Sequence, residues 1–210
     1  MKKLIFVHVP KCGGTTMKNI LGSVYGERIT GDKTENENMR QLQLGRPLEP
    51  LNYEKRLDEK SDCIIGHFPL SKYSMLKERG WKFATWLRDP VDRMISIFTK
   101  RQRIGYMRYM PDIMEIDIFE YCRRLPNVYK CYLDLEILDF VGFTESYDED
   151  LRRLENFLDC RIKEYKKGNV STWKKLKISK VERVLLEDIL KSDYEVYNKL
   201  RKLCGKQKSY

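Results

Sequence analysis

The sequence predicts an α/β fold, with one domain over residues 1–210 and a mostly parallel sheet of about four to five strands. Helices are expected to flank the sheet and to form the C-terminus. Residues 4–9 are apolar and rich in β-branched side chains, as in a strand buried on both faces. Shorter apolar runs recur at 62–66, 82–87 and 139–144. The chain is long enough for one well-packed domain, and it contains no internal repeat.

A tight turn and a helix follow the first strand. Pro10 ends the strand because proline has no N–H to donate, and Gly13 and Gly14 permit backbone conformations that other residues avoid. The next apolar residues are spaced for one face of a helix that ends near Gly26. These residues are Met17, Ile20, Leu21 and Val24. Such a turn directs backbone N–H groups and the positive end of the helix dipole at one point, which suits a phosphate or sulfate.

Polar side chains in this turn strengthen the anion-site interpretation. Lys11 adds a positive charge, and Thr15 and Thr16 add hydroxyl donors. The lysine precedes the glycines, so the order differs from the Walker loop of nucleotide triphosphatases, G-x-x-x-x-G-K-[ST]. A glycine turn that only joins a strand to a helix is the alternative.

The remaining elements are predicted from amphipathic spacing and from breaker residues. A short strand is expected at 28–30, and the face of the C-terminal helical region is expected to be Val181, Val184, Leu185, Ile189 and Leu190. Helices are expected at 37–44, 71–78, 116–124, 127–135, 147–158 and 179–203.

Two histidines are candidates for a general base. His67 follows the strand at 62–66, where ligands collect at the carboxyl ends of parallel strands. An imidazole with a pKa of about 6.5 can accept a proton near neutral pH. His8 lies near the end of the first strand, and we expect it to pack beneath the glycine turn and orient it. Either histidine is a possible base, and position favours His67.

A second motif, R-D-P, follows the strand at 82–87. Asp89 is placed to cap a helix and Pro90 to occupy its first turn. Arg88 and Ser96, two helical turns apart, combine a guanidinium with a hydroxyl, which suits a second phosphate. Arg93 is placed either to join this site or to pair with Asp89 or Asp92.

Together, the two motifs resemble those of sulfotransferases that use 3′-phosphoadenosine 5′-phosphosulfate (PAPS). P-K-C-G-G-T-T is similar to the 5′-phosphosulfate loop of the branch that contains heparan sulfate 2-O-sulfotransferase, which often reads P-K-T-G-G-T; Cys12 departs from that threonine. G-H-F-P resembles the segment that supplies the catalytic histidine, and V-G-F-T-E also fits the family, with Thr144 and Glu145 expected to be structural.

The resemblance implies a P-loop-like sulfotransferase domain and specific site residues. Lys11 and His67 would be catalytic, and no metal is implied. Arg88 and Ser96 would bind the 3′-phosphate, and Asn169 and Ser171 would lie in a loop that closes over the nucleotide. The phosphosulfate would be bound by Lys11, Cys12, Gly13, Gly14, Thr15 and Thr16. The products would be 3′,5′-ADP and a sulfated acceptor, with a glycan hydroxyl as the expected acceptor.

Composition restricts the partners and the compartment. The formal net charge of +10 favours anionic partners, without pointing to a specific nucleic acid. The six cysteines form no C-x-x-C pair, which favours reduced thiols in the cytoplasm. No apolar run is long enough to cross a membrane. A nucleotide kinase with an unusual loop and a non-catalytic binder of nucleic acid or acidic glycan are the alternative functions.

Overall fold

Five parallel strands form the sheet, four from the predicted apolar runs and one near the short strand expected at 28–30. The computed structural model describes residues 1–32, 60–105, 112–125, 127–162 and 176–206. The strand order is β2-β3-β1-β4-β5, and every pairing in this sheet is parallel. The strands are β1 (Leu4–Val7), β2 (Ile29–Asp32), β3 (Cys63–Gly66), β4 (Lys82–Leu87) and β5 (Phe140–Phe143).

Strand β1 lies at the centre of the sheet, between β3 and β4. All four of its residues are buried, which explains why its sequence is continuously apolar. In the register of the sheet, Val7 at the end of β1 lies beside Gly66 at the end of β3. The residues that follow these two strands, His8 and His67, therefore leave the sheet next to each other.

Seven helices are present in the described residues. The predicted helix at 147–158 is confirmed, and the helix predicted at 71–78 is instead a 3₁₀ segment, Leu70–Leu76. This segment departs from helical geometry at Tyr73, whose hydroxyl bonds Asp32 at the end of β2. The helices are α1 (Gly14–Tyr25), α2 (Pro90–Ile104), α3 (Ile118–Arg124), α4 (Val128–Tyr132), α5 (Tyr147–Leu158), α6 (Lys180–Ile189) and α7 (Lys191–Lys206).

The described residues fall into two compact units. The first takes its residues from Met1–Leu87 and Cys131–Val170, and the second from Arg88–Lys130 and Ser171–Tyr210. In the first unit, α1 and α5 contribute to a hydrophobic core with alternate residues of the sheet, including Leu4, Phe6 and Trp86. In the second unit, α2 contacts α3, α6 and α7.

The face predicted for helix α6 is wrong at Val181, Val184 and Leu185 and right at Leu190. Val181 and Val184 are 71% and 64% exposed, whereas Leu186 and Leu190 are buried. Arg183 bonds the carboxylates at the start of α2. Because residues 183, 186 and 190 lie on one side of a helix, this ion pair turns that side inward.

Four further sequence predictions concern a helix, membrane spans, metal ligands and cysteines. The helix predicted at 37–44 lies outside the described residues. No helix in the described part of the chain is long and apolar enough to cross a membrane. The same residues contain no cluster of three or more His, Cys, Asp and Glu side chains suited to a metal. The six cysteines are thiols, and no disulfide joins any two of them.

We expect Gly142→Ala to destabilise the first unit. A Cβ at residue 142 of β5 would lie 2.4 Å from the indole of Trp86, which packs beside Tyr147 with 4.8 Å between ring centroids. Overpacking of this kind costs about 1–3 kcal/mol in the free energy of unfolding, measurable by urea denaturation. Gly31→Ala in β2 is the matched control, since no atom of the described residues lies within 4 Å of the added Cβ. Equal stability of the two variants would contradict this account of Gly142.

Candidate active site

Two histidines meet at the carboxyl ends of β1 and β3. The N–H of His8 donates to the carbonyl oxygen of Gly66 at 2.7 Å, which continues the strand pairing by one residue. The imidazole Nδ1 of His67 lies 2.5 Å from the carbonyl oxygen of His8. The two rings are stacked, with 4.2 Å between centroids and 28° between planes. Both histidines that the sequence singled out therefore belong to one cluster.

The hydrogen bond of His67 sets its tautomer. A carbonyl oxygen only accepts, so Nδ1 must carry the hydrogen, and the neutral ring then has its lone pair on Nε2. Burial lowers the pKa of His67, and the bond to the carbonyl of His8 opposes part of that shift. The ring is therefore neutral at pH 7, which is the form that can accept a proton.

His8 is a packing residue beneath the turn. Its pKa is lowered to about 3, first by burial and then by the charges of His67, Lys18 and Lys11. A Cβ at residue 14 would lie 1.8 Å from the imidazole of His8, so only glycine fits at that position. The first helix therefore begins directly against the ring of His8.

The turn has the backbone geometry of an anion site. Gly13 is the N-cap of α1 in the left-handed conformation, with φ of 78°, and as a glycine it offers no side chain to cap the helix. The first turn of α1 contains no acidic residue. Lys11 also has a positive φ, 69°, a conformation that costs a non-glycine residue about 1–3 kcal/mol and that clusters at functional sites. The first turn of α1 therefore adds no negative charge of its own to the positive end of the helix dipole.

Side-chain exposure separates the residues of the turn. Thr15 is exposed and Lys11 is half-buried, while Thr16 and Cys12 are buried. The thiol of Cys12 lies 3.8 Å from the carbonyl oxygen of Pro10, inside the turn. The departure from threonine at residue 12 therefore changes a side chain that is only 1% exposed. Backbone groups, Lys11 and Thr15 form the accessible part of the site.

Thr144, just before α5, and Tyr147, its first residue, lie against the glycine turn. A Cβ at Gly13 would lie 3.3 Å from the ring of Tyr147 and 3.6 Å from the methyl group of Thr144. Thr144 also donates from its hydroxyl to Glu145 at 3.0 Å. The contact with Gly13 agrees with the structural role expected for Thr144.

A buried charge cluster holds the segment that follows His67. The carboxylate of Asp32, at the end of β2, forms an ion pair with the ammonium group of Lys72, and both side chains are 6% exposed. The hydroxyl of Tyr73 donates to the same carboxylate at 2.7 Å, and its ring packs edge-on against Phe68. The residues after His67 are therefore fixed to the neighbouring strand.

The R-D-P motif lies in the second unit and begins α2. Asp89 caps the helix by accepting the N–H of Asp92 at 3.0 Å, and Pro90 is its first residue, as predicted. Arg88 and Ser96 are both half-buried. Neither side chain makes a hydrogen bond or an ion pair with any other residue in the described ranges.

The pairing predicted for Arg93 is wrong. Arg93 is buried and lies 3.7 Å from the carboxylate of Asp193, which is also buried. The partner of Asp89 and Asp92 is Arg183, at 2.8 and 3.0 Å. Both partners come from the C-terminal helices, too far along the chain for local spacing to reveal them.

A family model matches most of the chain. The model described as the sulfotransferase family matches residues 1–157, three-quarters of the chain. The chain belongs to the sulfotransferase family. The matched residues include the glycine turn, both histidines and the R-D-P motif. No curated protein matches this sulfotransferase in sequence.

Solved structures similar to this sulfotransferase include two other sulfotransferases. One, from Alicyclobacillus acidocaldarius, is 12% identical with a TM-score of 0.47, over 94% of this chain and 99% of that chain. A mouse sulfotransferase complexed with PAP is 14% identical with a TM-score of 0.45, over 78% of this chain and 61% of that one. A gluconokinase from Sinorhizobium meliloti is 14% identical with a TM-score of 0.41, over 75% and 96%.

The structure brings together only part of the predicted site. Lys11 to Thr16 and His67 lie at one edge of the sheet in the first unit, while Arg88 and Ser96 belong to the second unit. Asn169 and Ser171 lie outside the described residues.

We expect His8 to make the stability of this sulfotransferase pH-dependent. The folded-state pKa of His8 lies below the unfolded value of about 6.5. The contribution of His8 to the free energy of unfolding is therefore complete above pH 6.5 and is lost as the pH falls toward 3. The linkage of protonation to folding predicts that the free energy of unfolding falls by about 2 kcal/mol between pH 7 and pH 5. His8→Gln should remove that part of the slope in urea titrations at several pH values. Identical slopes in the variant and the parent protein would contradict this assignment.

Proposed function

We propose that this sulfotransferase transfers the sulfuryl group of PAPS directly to an acceptor hydroxyl. The observation that carries the proposal is the uncapped start of α1, next to Lys11 and within the same cluster as His67. An anion at the start of α1 would meet backbone N–H donors and a positive charge. A neutral imidazole beside it would supply the base that an attacking hydroxyl needs.

In this proposal the loop binds the 5′-phosphosulfate. The backbone N–H groups at the start of α1, with Lys11 and Thr15, stabilise negative charge on the sulfuryl group and on the bridging oxygen as it leaves. Gly13 is favoured by its positive φ of 78°, and Gly14 is required because the imidazole of His8 occupies the space of a Cβ. Buried Cys12 would contribute through its backbone.

His67 acts as the general base. The acceptor oxygen attacks sulfur, the bond between sulfur and the phosphate oxygen breaks, and the acceptor proton moves to Nε2 of His67. The products are a sulfate ester and 3′,5′-ADP, so atoms and charge balance. His8 is the weaker candidate because a group with a pKa of about 3 holds a proton poorly at pH 7.

The other end of the nucleotide is assigned to the second motif. Arg88 and Ser96 would bind the 3′-phosphate through charge-assisted hydrogen bonds, as the resemblance implies. Asn169 and Ser171 stay predictions for a loop over the nucleotide. A glycan hydroxyl as acceptor and a cytoplasmic location are also proposals, supported respectively by the resemblance and by the six thiols.

We expect 3′,5′-ADP to stabilise the protein against heating without magnesium, and 5′-AMP to do so much less. A ligand at a hundred times its dissociation constant adds about 2.7 kcal/mol to the folded state, which raises the melting temperature measurably. A magnesium-dependent shift with ATP and none with 3′,5′-ADP would instead favour a kinase. Salt-sensitive binding of polyanions with no nucleotide effect would favour a non-catalytic binder.

We expect His67→Gln to lower kcat by about 100-fold or more, because a positioned general base contributes about 10²–10⁴-fold. The affinity for 3′,5′-ADP should stay within about twofold of the parent value. Activity is measured with radiolabelled PAPS on a panel of desulfated glycans, phenols and lipids. His8→Gln is the control, because its backbone carbonyl still accepts from His67. A larger loss of kcat in His8→Gln than in His67→Gln would assign the base to His8.

A further inference from the structure

A buried tyrosine holds the backbone of Arg88. The hydroxyl of Tyr129, on α4, donates to the carbonyl oxygen of Arg88. The N–H of Arg88 points at the same hydroxyl oxygen, at 3.4 Å. One hydroxyl therefore contacts the peptide groups on both sides of the Arg88 Cα. Since these two groups define φ and ψ of Arg88, they also define the direction in which its side chain leaves the backbone.

Tyr129 is itself fixed by a buried ion pair. Its N–H donates to the carboxylate of Asp193, on α7, at 2.8 Å, and the guanidinium of Arg93 lies 5.5 Å from its ring centroid. Arg93 and Asp193 pair at 3.7 Å, and both are at most 1% exposed. A buried ion pair adds little net stability compared with apolar packing, but removing one partner leaves an uncompensated buried charge. The pair therefore enforces one position of Tyr129.

The next residue, Asp89, is fixed from another side. Its carboxylate accepts hydrogen bonds from the guanidinium of Arg183 on α6 and from the hydroxyl of Tyr194 on α7, each at 2.8 Å. The dipeptide Arg88–Asp89 is thus anchored by both C-terminal helices. These helices lie beyond residues 1–157, where the match to the family model ends.

The backbone of Arg88 has hydrogen-bond partners, whereas its guanidinium has none in the described residues. It is half-buried and makes no hydrogen bond or ion pair with another residue among those the structure describes. Every other charged group in this cluster, namely Asp89, Arg93, Arg183 and Asp193, has a protein partner. A fixed backbone under an unpartnered guanidinium suits a ligand that must be met in one orientation.

We propose that Tyr129 is a positioning residue that orients Arg88 toward the 3′-phosphate of the nucleotide, with Asp193 holding Tyr129 in place. The inference rests on the proposed function, in which Arg88 binds that phosphate. Tyr129 does not touch the ligand; it acts through the backbone of Arg88. Its removal should therefore affect only nucleotides that carry a 3′-phosphate.

Calorimetric titration with 3′,5′-ADP and with 5′-AMP tests the proposal on the full chain. Tyr129→Phe keeps the ring under Arg93 and removes the hydroxyl. We expect its affinity for 3′,5′-ADP to fall about tenfold and its affinity for 5′-AMP to change less than about twofold, because only the first ligand uses Arg88. Tyr25→Phe is the matched control, since that buried hydroxyl also donates to a backbone carbonyl, of Lys2 at 2.7 Å. It should lower the melting temperature and leave both affinities unchanged.

A double-mutant cycle separates this inference from the proposed function. In an Arg88→Ala background, Tyr129→Phe should cause no further loss of 3′,5′-ADP affinity, since the two changes act on one contact. Equal losses for both nucleotides in Tyr129→Phe, or additive losses in the cycle, would overturn the positioning role. If Arg88→Ala alone leaves 3′,5′-ADP affinity unchanged, the assignment of Arg88 fails and the positioning role fails with it.

A second variant keeps the test decisive if Tyr129→Phe does not fold. Tyr194→Phe removes one of the hydrogen bonds to Asp89 and should weaken 3′,5′-ADP binding about threefold, again without an effect on 5′-AMP. Arg124→Ala is its control, because Arg124 forms ion pairs only with surface carboxylates of the same unit, Asp112 and Glu120. A loss in Arg124→Ala equal to that in Tyr194→Phe would overturn the proposal.

Discussion

The candidate site depends on the pairing of two parallel strands that end side by side. Because Val7 and Gly66 are in register, His8 and His67 leave the sheet together, and the carbonyl of His8 accepts the hydrogen of His67. That bond fixes the tautomer of His67. The same residue, His8, packs against Gly14 and so sets where the helix begins. The pairing register of β1 and β3 therefore determines the tautomer of His67 and places it beside the loop.

The second motif is built on a different principle. Arg88 owes its backbone conformation to a tyrosine 41 residues away, which in turn depends on an aspartate 64 residues further on. Buried charges supply the contacts, and their desolvation makes any other arrangement costly. Adjacent residues encode the glycine turn itself, whereas the position of His67 beside it and the backbone of Arg88 both rely on contacts between distant segments.

This contrast explains what the sequence could predict. Apolar runs and glycines report local geometry, so the five strands, the glycine turn and the cap by Asp89 were predictable from residue types alone. The partners of Arg93 and Asp89 were not, because Asp193 and Arg183 carry no local sign of which carboxylate or guanidinium they will meet. The ion pair between Arg183 and Asp89 also sets the rotation of α6 about its axis. Val181 and Val184 are therefore exposed, although their spacing suits a buried face. Amphipathic spacing fails where an ion pair with a distant residue sets the orientation of a helix.

The electrostatics of the loop and of the base are coupled. Burial lowers the pKa of both histidines, and the charges of His67, Lys18 and Lys11 lower the pKa of His8 further, so both rings are neutral before a ligand binds. An imidazolium beside the loop would pair with an incoming sulfate instead of accepting a proton. A bound phosphosulfate adds negative charge next to these rings, and a nearby negative charge raises the pKa of a histidine. The proposed co-substrate would therefore strengthen the base on binding, and burial would keep that base neutral until then.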